Sequence, residues 1–588
     1  MLSLGVTGHR SEMLGEHVAA IAVRVDEAME AITKAAFDLY GANAGWFAEC
    51  VPRLTMVSPL ADGADQIAAE IALSNGYELQ VVLPFSKAES RAALTPASRA
   101  AFDRLAEKAH CLLELPGDPA NPLDAYVMVG RATVAHCDLL VAIWDGEAAR
   151  GRGGTGDVVE LAMGRGTPVV HIPIDPARPV TLMWSAYDPA VITQHSNDVD
   201  RRPFDAAHLT ALLNALLTPP QDQVERRFAE TFAAERMVRM RARIEYPLLL
   251  AIAGIARFGS DRFREARSEA VRQSEWHRYK DGCVDRHRVS FPIDLVAETH
   301  DWSDRLATRF AQTYRSGHVL NFVLAAAAVV IGLGGFLMPH YRLALAAFEF
   351  VLALSIIINT RVGVTQQWHR RWLDYRQLAE RLRPLRSLKL VAIAAPDPPG
   401  DATNPVARRW IEWYAAAIWR GMGCPSGSIA AADVADIAES VAAHEVDPQV
   451  AYHRRHGIQI NALDQRLQRI SGSIFWITLL ASIVTMAALA LRPEWVSQWS
   501  NWLTLVSAGL PAIGTAIFGI RFQGDFGGSA VRSAATAVSL ADIARALRGN
   551  AIGLSRAADL TEQVARAMFA DLSEWRLVNQ QHDLSISS

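Results

Sequence analysis

The chain has 588 residues, several times a typical domain, which at about 150 residues per unit implies roughly four units rather than one core. Apolar residues make up 51 %, charged residues 20 %, and the formal net charge is -4; this excludes a disordered chain and gives no global attraction for nucleic acid, which is not expected as a partner. The cysteines Cys50, Cys111, Cys137, Cys283 and Cys424 lie far apart without a CxxC pair, so no zinc site, no other metal and no disulfide framework is expected.

The opening residues MLSLGVTGHR lack the basic and apolar regions of a signal peptide, which places the first domain in the cytosol. Short β-like runs then follow one another: LSLGVT from Leu2, LTMVSP from Leu54, LQVVLPF from Leu79, CLLEL from Cys111, DLLVAIW from Asp138 and PVVHIPI from Pro168. Helix-like runs separate most of them, at His17 to Tyr40, Gln66 to Ser74, Ser98 to Lys108, Ala125 to Ala135 and Val158 to Gly164. Near-continuous apolar strands alternating with helices predict an α/β fold, a Rossmann-like parallel sheet covered on both faces, over residues 1–220.

Residues 221–315 read as a cytosolic helical linker region, with a charged helix from Val224 to Arg243 and a run, YPLLLAIAGIARFG, too short to cross a bilayer. Four longer apolar runs follow: His318 to Met338, Leu343 to Asn359, Ile474 to Leu491 and Trp502 to Ile520. Each suits a hydrocarbon core of about 30 Å, so an all-α membrane region of four transmembrane helices in two hairpins is predicted. The first hairpin with its cytosolic helix occupies 316–395, a cytosolic linker and helices 396–470, and the second hairpin with C-terminal helices 471–588. Arginines gather at one end of the runs, including Arg305, Arg309, Arg315, Arg370, Arg371, Arg466 and Arg521, while Trp495, Trp499 and Trp502 flank the opposite turn. The positive-inside rule then puts both termini in the cytoplasm. Within the spans, Asn321 and Glu349 are the notable polar groups; an intramembrane carboxylate should face a partner helix, water or an oligomer interior.

Ligands of a parallel α/β sheet sit at the carboxyl ends of strands, so the loops after strands carry the candidate site. These are Thr7, Gly8, His9 and Arg10 after the first run, Gly63, Ala64 and Asp65 after the second, and GRGGTGDVVELAMGRG after the fifth, with Gly153, Gly154, Thr155, Gly156, Asp157 and Glu160. Small residues at a helix start let several backbone amides face one anion, although ordinary glycine turns look the same. Asp62 and Asp65 suit ribose binding or helix capping, capping being favoured.

The segments VTGHR, ADGADQIAAEIAL with VVLPF, and DLLVAIWDG with GGTGDVVELA resemble the SLOG superfamily over about residues 1–180. That resemblance implies a Rossmann-like domain binding nucleotides or nucleotide-derived sugars. In its phosphoribohydrolase branch the elements MxxRK and GGxGTxxE recur; here Met128 to Arg131 match, Ala132 replaces the Lys, and Asp157 replaces the Thr beside Gly153, Gly154, Gly156 and Glu160. The resemblance implies Arg131 and Glu160 as catalytic groups only if the protein is an enzyme. The stretches TYRSGHVLNF and RRWLDYRQLAERLR, within about 302–390, resemble SLATT two-span effector domains.

Together these resemblances imply a membrane effector, not an enzyme, whose cytosolic domain senses a nucleotide or nucleotide-derived second messenger and triggers pore formation or membrane disruption in bacterial antiphage defence. The alternative is a membrane-anchored phosphoribohydrolase or NAD glycosidase. No cofactor is expected; the implied partners are the nucleotide signal, the lipid bilayer of the inner membrane and further copies of the chain.

Overall fold

A computed structural model describes residues 1–149, 151–185, 199–236, 243–257, 259, 275–397, 409–491 and 495–579. The six apolar runs form parallel strands β1 Leu2–Gly8, β2 Leu54–Ser58, β3 Glu78–Leu83, β4 Cys111–Glu114, β5 Leu139–Trp144 and β6 Val169–Pro173. Between them run α1 Val18–Ala42, α2 Ala64–Ser74, α3 Pro96–Lys108, α4 Pro122–Ala135 and α5 Thr155–Gly164, each overlapping the helix predicted there. The strand order is β6-β5-β1-β2-β3-β4, with Leu4 beside Met56 and Val6 beside Val141.

The sheet extends beyond these six strands. Strands β7 Thr181–Met183 and β8 Arg201–Pro203 add antiparallel to β6 at one edge. At the other edge, β9 Val289–Ser290 pairs antiparallel with β10 Ser426–Ser428, and β10 pairs parallel with β4. Runs of two or three residues carry no readable alternation, so the sequence gives no sign of them.

Alternation along the strands divides the core. Leu4, Val6, Met56, Val81, Val141 and Ile143 pack with α1, α2, α3 and helix α6 Ala206–Leu217. On the opposite face, Leu140, Ala142 and Trp144 pack with α5, while Val57, Val82 and Leu113 pack with α4. That second face is completed from much later in the chain, by α11 Trp368–Leu382, α12 Leu385–Val391, α13 Trp410–Gly421, α14 Val434–Val441 and the C-terminal helices α17 Phe526–Leu547 and α18 Leu554–Asn579. The α/β unit at 1–220 therefore shares one core with segments lying before, between and after the spans.

Among the described residues four helices are long and apolar enough to cross a membrane: α9 Ile293–Leu337, α10 Arg342–Thr365, α15 Asp447–Leu491 and α16 Trp495–Gly524. Helices α9 and α15 have 45 residues each, about 68 Å at 1.5 Å per residue, more than twice a hydrocarbon core. The last of the cytosolic helices read over 396–470 is thus continuous with the third span, and the base of α9, through Asn321, is buried in protein. Beyond the base the apolar side chains face outward, with Leu343 85 % and Trp476 69 % exposed, as lipid-facing residues should be. Helix α10 packs on α9, α9 on α16, and α16 on α15.

The run YPLLLAIAGIARFG forms the short helix α8 Glu245–Ile252, whose Tyr246, Leu249 and Leu250 pack with Val319, Leu463, Leu467 and Ile520 at the base of the spans. The charged helix read from Val224 appears as α7 Gln223–Ala233; residues 237–242, most of 258–274 and the linker at 398–408 lie outside the described residues.

Candidate functional site

The chain lays down β1 to β4 in one direction and then places β5 and β6 on the other side of β1, so the order reverses between β1 and β5. A crevice opens at the carboxyl ends of strands at such a reversal, and all three predicted loops meet there. Thr7 and Gly8 end β1 opposite Ala142 and Ile143 of β5. A side chain on Gly8 would lie 2.4 Å from Ala64 Cβ and 2.8 Å from the Ile143 carbonyl, so only glycine lets β5 and the start of α2 close on it. The His9 amide donates to the Ile143 carbonyl at 3.1 Å, and the Ala64 amide donates to the His9 carbonyl at 3.1 Å. Gly63 has φ +95°, and a Cβ there would meet the His9 carbonyl at 2.7 Å, which explains the glycine before α2.

The side chains form a mixed rim. His9 Nε2 lies 3.2 Å from Asp145 Oδ1. Arg10 reaches the Tyr126 hydroxyl at 3.4 Å and sits over its ring. Asp62 accepts from the hydroxyls of Ser11, at 2.7 Å, and Ser98, so it ties the first two loops to α3. Asp65 is buried, and its carboxyl is pushed up to about 7 by burial, opposed by the Ala61 amide and the Arg10 charge. Neither aspartate caps α2, whose N-cap is Gly63.

Asp157 closes its own loop: its carboxylate accepts from the Gly153 amide at 2.8 Å, and the Gly154 amide donates to the Gly151 carbonyl at 3.1 Å. The Asp157 carboxylate thus occupies an amide otherwise available to a ligand anion. Thr155 and Gly156 begin α5, and Glu160, one turn on and half-buried, has no hydrogen bond or ion pair among the described residues. The crevice therefore offers the Arg10 guanidinium on the β1 side and carboxylates on the α5 side, a division suited to a ligand with an anionic end and a hydroxyl-bearing end. Among the described residues no group of His, Cys, Asp or Glu is arranged to hold a metal ion.

Among the described residues Arg131 makes no ion pair with Glu160. Its guanidinium donates to Asp559 Oδ1 at 2.8 Å and lies 3.6 Å from Glu562 Oε1, both on α18. Glu562 also accepts from Arg165 just after α5, at 2.5 Å, and from the amide of Ala395 beyond α12, at 3.1 Å. One buried carboxylate thus joins the two helices behind the crevice, the segment between the hairpins and the last helix. Sequence reading missed Glu562 and Asp559, the latter 428 residues from Arg131, which match no motif, and missed Tyr126. Asp145, directly after β5, was readable from its position at a strand end.

In the membrane region Asn321 is satisfied locally: its Nδ2 donates to Thr360 Oγ1 at 3.0 Å, and its Oδ1 accepts from Asn359 at 2.7 Å. Asn359 also accepts from Arg243 at 2.7 Å, so this ladder pins α9 to α10 near the base of the hairpin. Glu349 lies over Gly332 of α9, where an added Cβ would come within 2.8 Å of its Oε2, and has no hydrogen bond or ion pair among the described residues.

Compared with family models, curated proteins and solved structures, the chain matches none of them. The fold and site define its class: a membrane protein in which a Rossmann-like sheet, with a crevice at its strand-order reversal, is built into the base of four apolar helices.

Proposed function

We propose that the protein is a membrane effector, in which a SLOG-like domain binds a nucleotide-derived signal and shifts SLATT-like spans toward a pore or a disrupted membrane, in bacterial antiphage defence. The observation that carries this reading is the Glu562 junction. It ties the helices behind the crevice, through Arg131 and Arg165, to α18, which packs on α17, and α17 on α15, the third span's helix. A change in how α4 and α5 sit thereby moves groups rooted in the membrane. The signal acts by binding the permeable state more tightly, and a shift from 1:99 to 99:1 needs about 10⁴-fold discrimination.

The arginines at the protein-covered ends of the spans support an inner-membrane orientation with both termini cytoplasmic. Among the described residues the span helices pack as a row, α10 on α9, α9 on α16 and α16 on α15, which supports a homo-oligomer. The resemblance to a hydrolase asks Arg131 and Glu160 to serve one ligand, and the pairing of Arg131 with α18 favours the sensor instead.

The test is dye release from liposomes carrying the full-length protein, with a panel of linear, cyclic and dinucleotide compounds. At least one compound should both bind and release dye, and Arg10→Ala should weaken its binding at least tenfold. If no compound binds, or a bound compound never releases dye, the proposal fails.

A further inference from the structure

Two of the five cysteines, 313 positions apart, meet where the β10 edge joins the sheet. Cys111 opens β4, and its Sγ lies 3.7 Å from the carbonyl oxygen of Cys424, two residues before β10. The two thiols are also close enough for each to perturb the other's ionisation. Pairing of Leu113 with Gly427, carried back two residues, sets Pro425 opposite Cys111, so Cys424 is one residue from direct register. A one-residue offset of about 3.3 Å along strands about 4.8 Å apart sets the two Cα atoms about 6 Å apart, within the separation of about 4.4–6.8 Å that a disulfide requires.

The two thiols differ in the way a nucleophile and its resolving partner should. Cys111 is half-buried, whereas Cys424 is buried. The neighbouring Cys424 thiol favours the Cys111 thiolate, burial opposes it, and Arg53 and Lys389 favour it, with the net shift downward; the Cys424 thiol is pushed upward by the neighbouring Cys111 and by burial. Lys389 is fixed beside the pair: its Nζ donates to the Gly423 carbonyl at 2.5 Å, contacts His136 Nδ1 at 3.0 Å and lies over the Trp419 ring at 3.6 Å.

We infer that Cys111 and Cys424 form a peroxide-sensitive dithiol whose disulfide staples β4 of the α/β sheet to the inter-hairpin segment leading into β10. The Cys111 thiolate attacks hydrogen peroxide: an S–O bond forms, the O–O bond breaks, and the departing hydroxide takes a proton and leaves as water. The Cys424 sulfur then loses its proton and attacks the Cys111 sulfenic acid, so that the S–S bond forms, the S–O bond breaks, and a second water leaves. In sum two thiols are oxidised and one peroxide is reduced to two waters. The inference stands apart from the nucleotide reading, because neither cysteine belongs to the crevice.

The experiment treats the full-length protein in detergent with hydrogen peroxide, alkylates it, and maps its peptides without reduction. A 111–424 linked peptide should form at micromolar to millimolar peroxide and vanish on reduction, while Cys137 and Cys283 stay alkylatable after unfolding. Cys424→Ser should leave a Cys111 sulfenic acid that dimedone traps, and Cys111→Ser should give neither product. The inference is overturned if peroxide leaves Cys111 and Cys424 as free thiols, if Cys111 pairs instead with Cys50, or if Cys424→Ser gives no dimedone adduct at Cys111.

Discussion

At the scale of single residues, two carboxylates have opposite environments and testable consequences. Glu562 is buried among Arg131, Arg165 and the Ala395 amide. Removing one partner of a buried charge pair costs on the order of 3–5 kcal/mol, because the remaining charges stay desolvated. Glu562→Ala should therefore loosen α18 from α4 and α5, seen as faster amide exchange across residues 554–569; unchanged exchange there would refute the junction. Asp65 is buried without a full-strength cation, and its carboxyl sits near 7, above its ordinary value. Its folded-state affinity for a proton thus exceeds that of the unfolded chain. The stability it lends is complete below about pH 4 and is lost as pH rises through 7, with an upper bound of about 4 kcal/mol. Asp65→Asn should flatten this part of the dependence, so that the melting temperature of the variant gains on that of the native protein between pH 5 and 8. A constant difference across that range would contradict the assignment.

At the scale of elements, the start of α2 and the first hairpin are each held by one local device. Gly63 has a backbone conformation that L side chains rarely adopt, and its Cα faces the His9 carbonyl. Gly63→Ala should cost about 1–3 kcal/mol and raise amide exchange over residues 59–66 more than elsewhere. In the hairpin, Asn321 and Thr360 bond across α9 and α10. Hydrogen bonds between membrane helices couple by about 0.6–1.7 kcal/mol, so a double-mutant cycle of Asn321→Leu and Thr360→Val, followed by detergent unfolding, should return a coupling in that range. Zero coupling would show that the ladder holds nothing. These elements were readable to different degrees. All six central strands lie within or beside their apolar runs, because a strand buried on both faces needs such a run; β9 and β10 have two and three residues and leave no pattern.

At the scale of the whole molecule, the segments before the first span, between the hairpins and after the fourth all pack on one sheet, so they occupy one side of the membrane. In a cysteine-free background, a cysteine at Tyr341 should react with an impermeant maleimide from outside the cell, and one at Asp433 only after lysis. The reverse pattern would invert the orientation proposed for the protein. The same packing explains why the α/β unit does not close on itself: the face formed by Val57, Val82 and Leu113 is completed by residues from Trp276 to Met568.

What the sequence by itself determined was every feature with a local physical cause. Apolar runs marked strands and spans, because burial or lipid must meet consecutive residues; small residues after strands marked the crevice, because backbones approach closely there. Only the tertiary structure decided that Arg131 belongs to α18 and not to Glu160, that Asp157 fills its own loop, and that strand β10 joins β4 from over 300 residues away. Those outcomes depend on which distant segment completes the desolvated face of the sheet. That choice is made by the shape and charge of whole packed surfaces, and no periodicity along the chain records it.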